Sequence, residues 1–134
     1  MIRFKAGYKY QLYEQYQIAL PWLKGYPDYA ADFLQVNGDT LIIEKGYAWD
    51  GASGPTWDSK SSIRASLVHD AAYQMMRVGV LPEAARKYAD QTLYTLCVED
   101  GMFRPRAWAW YQAVRLMAGS AAKNGTEREV MEAP

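Results

Sequence analysis

The residues best suited to chemistry lie in the segment SLVHDAAYQ, residues 66–74. His69 is the only histidine of the chain, Asp70 follows it directly, and Tyr73 comes four residues later. On a helix His69 and Tyr73 share one face, whereas Asp70 is rotated by about 100° and faces elsewhere. These neighbouring side chains can therefore serve different tasks at one site.

A second predicted helix brings another acid to the level of this pair. Asp90 lies among apolar neighbours, where an aspartate is a poor helix former and is costly to bury without a partner. His69 lies roughly ten residues before the turn VGVL (residues 78–81) and Asp90 roughly nine after it, so at ~1.5 Å of rise per residue their levels nearly match. The sequence predicts a His69–Asp90 hydrogen bond, with the Tyr73 hydroxyl near Asp90.

This arrangement has a chemical logic. A buried Asp90 carboxylate would accept the proton of one imidazole nitrogen and fix the tautomer of His69, which leaves the other nitrogen as a general base. Asp70, on the adjacent face, can hold a hard cation, and an upstream glycine-rich loop offers the carbonyl oxygens that calcium uses. A cation beside the base would polarise a carbonyl or phosphoryl oxygen while His69 activates water.

Three stretches of chain must position these residues. We expect one α+β domain over residues 1–134, in which residues 1–45 are mainly β, 46–60 form the loop, 61–118 are helical and 119–134 are a loose tail. The first stretch alternates with a period of two and carries Asn37-Gly38 between apolar runs, a strong hairpin signal, with strands expected near 33–36 and 40–44. The expected architecture is a small antiparallel β portion packed beside three helices.

Helical spacing of apolar residues begins near Ser61. Glycines should end the first two helices, at Gly79 and Gly101, and Pro82 should open the second. Because the connection is short, these two helices should be antiparallel neighbours. A third helix is expected over residues 105–118, and the candidate N-caps of the first helix are Asp58, Ser59 and Ser61.

The motifs HDAAY and YADQTLY, preceded by DGASGPTWD, resemble the active-site pattern of the phospholipase A-two family, most closely its disulfide-free viral type. The resemblance implies that His69 activates water, that Asp90 orients it, and that Tyr73 hydrogen-bonds Asp90. It also implies an ester substrate, plausibly a phospholipid, and a calcium ion bound by Asp70 and by the upstream loop; the loop ligands expected are Tyr47, Asp50, Gly51 and Gly54. The whole chain also resembles a phage and prophage domain family of unassigned function, with DGAS-x-P, HD and AD blocks.

Other readings of the same residues stay open. His69, Tyr73 and Asp90 could form a buried structural network in a non-catalytic phage accessory or virion protein that keeps the fold for binding. A serine hydrolase using Ser53 with His69 and Asp90 is conceivable, although no G-x-S-x-G motif is present. Phosphohydrolases with an HD dipeptide need several histidine ligands, so one histidine argues against them and against a multi-histidine zinc site.

Composition narrows the classes further. Fifteen basic and fifteen acidic residues cancel, so no basic excess indicates a nucleic-acid partner. No apolar run approaches ~20 residues and no signal peptide is evident, so we expect cytoplasmic synthesis and no transmembrane segment. The phage resemblance implies that this cytoplasm is that of a host cell and leaves association with the virion open. The single cysteine, Cys97, is expected to be a buried thiol rather than a nucleophile. Trp49 and Trp57 flank the loop and could either pack or seat it on a phospholipid interface.

Overall fold

The structure is a computed structural model that describes residues 4–5, 10–49 and 60–117 of the 134-residue chain. Contacts divide the chain into two units, residues 1–49 and 50–133. In the described residues the first unit holds antiparallel strands and the second holds three α-helices. Strands thus precede helices along the chain, which confirms the predicted α+β class.

A four-stranded antiparallel sheet carries the hairpin that the sequence predicts. Its strands are β3 (Tyr16–Ala19), β4 (Tyr29–Ala31), β5 (Leu34–Asn37) and β6 (Thr40–Ile43), in the order β3-β6-β5-β4. Asn37 pairs with Thr40, and Gly38 adopts a φ of +63°, as a tight turn requires. The alternating burial of β5 and β6 places Leu34, Val36, Leu41 and Ile43 in the core.

Strand β5 begins one residue later than predicted, for a local reason. Asp32 and Phe33 have φ values of +53° and +70°, outside the β region, and Ala31 pairs with Leu34 across them. Positive φ at both central residues is the signature of a type I′ hairpin turn. Phenylalanine rarely adopts a positive φ, so the residue types at positions 32 and 33 did not predict this turn.

A three-stranded antiparallel sheet lies in the same unit. It is formed by β1 (Phe4–Lys5), β2 (Tyr10–Leu12) and β7 (Ala48–Trp49), in the order β1-β2-β7. Residues 48–49 therefore pair as a strand inside the stretch predicted to be loop. Trp49 is 1% exposed and its ring centroid lies 5.5 Å from that of Tyr10, so Trp49 takes the packing role; Trp57 lies outside the described residues.

The second unit contains α1 (Lys60–Arg77), α2 (Arg86–Glu99) and α3 (Arg104–Met117), with a one-turn 3-10 helix, Glu83–Ala85, before α2. The two glycine stops are confirmed. Gly79 has a φ of +87°, its N–H bonds to Met76 O, and Val80 N–H bonds to Met75 O; this pattern is a Schellman motif. Gly101 ends α2 in the same way, with Met102 N–H bonding to Cys97 O.

Two contacts along the pair show that α1 and α2 are antiparallel neighbours, as predicted. Near the start of α1, Arg64 Nε and Nη2 donate to the two carboxylate oxygens of Asp100, at 3.0 and 2.9 Å, just beyond the end of α2. Further along, His69 of α1 contacts Asp90 of α2. Of the predicted N-caps, Ser61 lies within α1, and Asp58 and Ser59 fall outside the described residues.

Candidate functional site

The His69–Asp90 pair forms as predicted. His69 Nε2 lies 2.7 Å from Asp90 Oδ1, and the side chains of the two residues are 8% and 0% exposed. An ionised carboxylate only accepts hydrogen bonds, so the ring carries its proton on Nε2. No other described residue hydrogen-bonds the ring, which leaves Nδ1 as the nitrogen with an available lone pair.

Tyr73 completes the predicted triad. Its hydroxyl donates to the same oxygen, Asp90 Oδ1, at 2.6 Å. The His69 and Tyr73 rings lie one helical turn apart on α1, with centroids 4.2 Å apart and planes inclined by 35°. The packed ring and the shared acceptor restrict rotation of the imidazole, so the orientation of His69 is fixed on two sides.

Two arginines complete the surroundings of the carboxylate, and the sequence analysis did not assign either of them to the site. Arg115 of α3 donates from Nη1 to Asp90 Oδ2 at 2.9 Å. Arg86 lies one turn before Asp90 on α2, with Nη1 3.7 Å from Oδ2, and donates to the backbone oxygen of Arg115 at 3.2 Å. Asp90 therefore joins three helices, with His69 and Tyr73 on one oxygen and arginines on the other.

These contacts set the charge of the site. Burial by itself raises the pKa of the Asp90 carboxyl, but the hydrogen bonds from His69, Tyr73 and Arg115 outweigh burial and hold that pKa below its ordinary value of 3.8. Burial, and then the adjacent Asp90 carboxylate, raise the pKa of the Tyr73 hydroxyl well above its ordinary value. At neutral pH the site therefore holds an ionised Asp90 and a neutral Tyr73.

Two of the five predicted metal ligands, Asp70 and Tyr47, lie in the described part of the chain, one in each unit. Asp70 lies on α1 beside His69 and is partly exposed. Tyr47 belongs to the first unit, is buried, and its carbonyl oxygen accepts from Leu12 N–H at 2.8 Å. Asp50, Gly51 and Gly54 lie outside the described residues, as does Ser53 of the serine-hydrolase alternative.

A metal centre built from side chains alone is not found in the described part of the chain. There, no group of three or more His, Cys, Asp or Glu side chains is placed to hold a metal ion. Asp70 would contribute one carboxylate, and calcium needs six to eight oxygen ligands. A calcium site therefore depends on the loop, and the calcium prediction stays a prediction.

Cys97 fits the buried-thiol interpretation. It is 0% exposed on α2, and burial together with nearby Asp100 raises the pKa of its thiol to about 12. A thiol with that pKa is protonated at neutral pH and is a poor nucleophile. Among the described residues this leaves the His69–Asp90 pair as the candidate centre for chemistry.

The chain is a small α+β domain whose antiparallel α1–α2 pair carries a His-Asp-Tyr cluster. These features define a class of domain and do not by themselves identify an activity. The chain belongs to the family described as "Protein of unknown function (DUF1353)", whose profile matches residues 29–114. The match spans strands of the first unit, α1 and α2, and it ends within α3. No curated protein and no solved structure matches the chain.

Membership confirms the coarser part of the expected resemblance, namely a domain family of unknown function. The links to phage and to phospholipase A-two lie beyond this match. In the described residues no helix is both long enough and apolar enough to cross a membrane.

Proposed function

We propose that the protein is a hydrolase in which His69 activates water. The supporting observation is the 2.7 Å contact between His69 Nε2 and Asp90 Oδ1, because it fixes the tautomer that leaves Nδ1 free to accept a proton. General bases need this combination of an oriented ring and an acceptor nitrogen. The substrate class we propose, from the resemblance of HDAAY and YADQTLY to phospholipase A-two, is an ester bond in a phospholipid.

The proposed steps balance in protons. His69 Nδ1 takes a proton from water as the oxygen attacks the ester carbonyl carbon, and the positive ring is stabilised by Asp90. The Nδ1 proton then passes to the alkoxide that leaves when the C–O bond breaks. Tyr73 stays neutral and keeps its hydrogen bond to Asp90 throughout, consistent with the raised pKa of its hydroxyl.

Calcium is part of the same proposal. Asp70, beside His69, would supply a carboxylate ligand, and the oxygens of Tyr47, Asp50, Gly51 and Gly54 would supply the loop ligands. When bound, the cation would polarise the ester carbonyl and stabilise its developing negative charge. Asp70→Asn should weaken calcium binding because a charged oxygen ligand is lost.

A second candidate is a non-catalytic phage accessory or virion protein. The observation that favours it is the low exposure of His69, 7%, within a network where Asp90 is held by donors on both oxygens. A network of this kind can have a purely structural role, which is to hold α1, α2 and α3 together. This candidate predicts that His69 affects stability and no reaction.

The deciding experiment measures fatty-acid release from mixed phospholipid vesicles, with calcium or with a chelator. Three variants are compared with the wild type: His69→Gln, Asp70→Asn, and Asp32→Asn, a matched control on an exposed turn of the first unit. We expect calcium-dependent release by the wild type and by Asp32→Asn, and a loss of about 10²- to 10⁴-fold in His69→Gln. Equal background release by all four proteins would contradict the hydrolase and favour the binding protein, provided that thermal unfolding shows each variant to be folded.

A further inference from the structure

A cleft of about 380 Å³ lies where the start of α2 meets the end of α3. Its lining is made by Glu83, Ala84, Arg86, Lys87 and Arg115. Three of these residues are cationic and one is acidic, so the lining has an excess of positive charge. Arg86 and Arg115 also contact Asp90 Oδ2. The cleft therefore lies on the side of the carboxylate oxygen that does not bind His69 and Tyr73.

The two arginines are anchored but keep most of their donors. Each guanidinium has five N–H donors. Among the described residues, Arg115 Nη1 bonds to Asp90, and Arg86 Nη1 bonds to the carbonyl oxygen of Arg115 and lies 3.7 Å from Asp90. The Arg86 guanidinium also interacts with the Tyr73 hydroxyl. Their side chains are 29% and 19% exposed, so each remains accessible from the cleft.

Anchoring prepares these side chains for a ligand. An arginine held by one nitrogen has already lost part of its rotamer freedom, so less entropy is lost when its other donors bind. The planar fork of a guanidinium matches two oxygens of a phosphate, and Lys87, which is exposed at the rim, adds a mobile point charge. The start of α2 contributes partial positive charge in the same direction.

The number of donors at the cleft favours a phosphate over a carboxylate. Asp90 neutralises one cation and Glu83 another, so one net positive charge remains with several unused donors around it. Free phosphate or a phosphate monoester offers three or more charged acceptor oxygens to these donors, and a phosphodiester headgroup offers two charged oxygens and two ester oxygens, whereas a carboxylate offers two oxygens in all. The volume of the cleft exceeds that of a phosphate ion and leaves room for a group attached to it.

We propose that the cleft formed by Arg86, Lys87 and Arg115 is a binding site for a phosphate group, either free or in a lipid headgroup. The site does not depend on the proposed hydrolysis, because it uses the guanidinium donors and Lys87 rather than His69. Asp90 serves it only as the anchor that holds Arg115 in place.

The first arm of the test titrates the full chain with inorganic phosphate at constant ionic strength and follows backbone amide resonances by NMR. We expect saturable shifts at residues 83–87 and 115. Lys87→Gln, an exposed position that should fold normally, is expected to weaken phosphate binding by roughly three- to tenfold, and Arg86→Gln by about tenfold or more. Lys24→Gln, which removes the same charge from an exposed site in the first unit, should leave binding unchanged.

The second arm measures co-sedimentation with vesicles of phosphatidylcholine alone and with added phosphatidylglycerol, for the same variants. Binding of phosphate that depends on Lys87 identifies a free phosphate ligand, and binding only of the phosphatidylglycerol vesicles with that dependence identifies a headgroup. Either result supports the site. If neither probe responds to Lys87→Gln more than to Lys24→Gln, the proposal is overturned.

Discussion

Arg115 donates to Asp90 Oδ2 at 2.9 Å, and this ion pair ties α3 to a carboxylate that already joins α1 and α2. The side chain of Asp90 is fully buried and that of Arg115 is 29% exposed. A buried carboxylate is costly unless it is paired and hydrogen-bonded, and here both oxygens have donors. The same pairing keeps Asp90 ionised, which is the state that orients His69.

Removing the carboxylate should therefore destabilise the helical unit strongly. In Asp90→Ala, three donors that point at one position lose their acceptor, and we expect a loss of roughly 3–5 kcal/mol in the free energy of unfolding. Asp90→Asn keeps the shape but turns an amide N–H₂ toward either Arg115 or the His69–Tyr73 pair, so it should cost about 2 kcal/mol or more. Urea denaturation measures both values.

Glu83→Ala is the matched control for these variants. Glu83 is an exposed acid just before α2, so its removal should change the free energy of unfolding by less than about 0.5 kcal/mol. A loss in Asp90→Ala no larger than in Glu83→Ala would show that the network does not contribute to stability.

Arg115 should set how the protein responds to acid. Because the pKa of Asp90 is lowered in the folded state, its contribution to stability is present above its unfolded value of 3.8 and is lost as pH falls through the folded value. In Arg115→Met a hydrogen bond that lowers this pKa is gone, so the loss should begin at higher pH, and stability at neutral pH should fall by about 1–3 kcal/mol. Urea unfolding between about pH 2 and 7 measures both effects.

The conservative change separates charge from geometry. Arg115→Lys keeps a cation and should restore part of the acid resistance, without the planar fork of the guanidinium. Acid unfolding at the same pH in the wild type and in Arg115→Met would contradict the assigned role of Arg115.

Most of the helical site was predictable because it depends on local rules. Counting helical rises from residues 78–81 placed His69 and Asp90 at one level, and the i,i+4 spacing put Tyr73 on the same face. Gly79 and Gly101 marked the helix ends because a left-handed C-terminal residue favours glycine. These inferences needed no knowledge of how α3 packs.

The arginines could not be assigned in the same way. Arg115 reaches Asp90 only because α3 packs on α2, and a long side chain on a third helix carries no periodic signal for such a contact. Arg86 did leave a signal, since it precedes Asp90 by four residues, a spacing at which opposite charges meet on one helix face. A buried Asp90 also requires a cation or several donors, but residue types alone do not show which side chains supply them.

Residue types predicted one of the two turns that flank strand β5 in the first unit and not the other. The Asn37-Gly38 hairpin was evident from residue types that tolerate positive φ. The turn at Asp32-Phe33 was not, because phenylalanine is seldom found there and its conformation is imposed by the pairing of Ala31 with Leu34. The calcium loop rests on its glycine-rich sequence and on the resemblance, because Asp50, Gly51 and Gly54 lie outside the described residues.

Cys97 should be inert in the folded protein. Its thiol is 0% exposed and its pKa is raised to about 12, so little thiolate forms at neutral pH and little of it is accessible. We expect no reaction with a thiol-reactive chromogenic disulfide within hours at neutral pH, and one equivalent of reaction after unfolding in guanidinium. Rapid labelling of the native protein would show that α2 opens readily.

Tyr73 should make the helical unit sensitive to alkali. Burial and the Asp90 carboxylate raise the pKa of its hydroxyl in the folded state above the ordinary value of 10.0. The stability that goes with the neutral phenol is therefore fully present below pH 10.0 and is lost as pH rises above it, because the unfolded state ionises first. Tyr73→Phe cannot ionise, but it loses the hydrogen bond to Asp90, so it should be less stable at neutral pH by about 1–2 kcal/mol. The difference from the wild type should narrow as pH rises beyond 10.0, in urea unfolding followed by far-UV circular dichroism.

Tyr88→Phe, at a side chain that is 45% exposed, serves as the control. The difference in stability between Tyr88→Phe and the wild type should be the same at every pH. A Tyr73→Phe variant whose deficit stays constant from neutral to alkaline pH would contradict a buried, neutral phenol on Asp90.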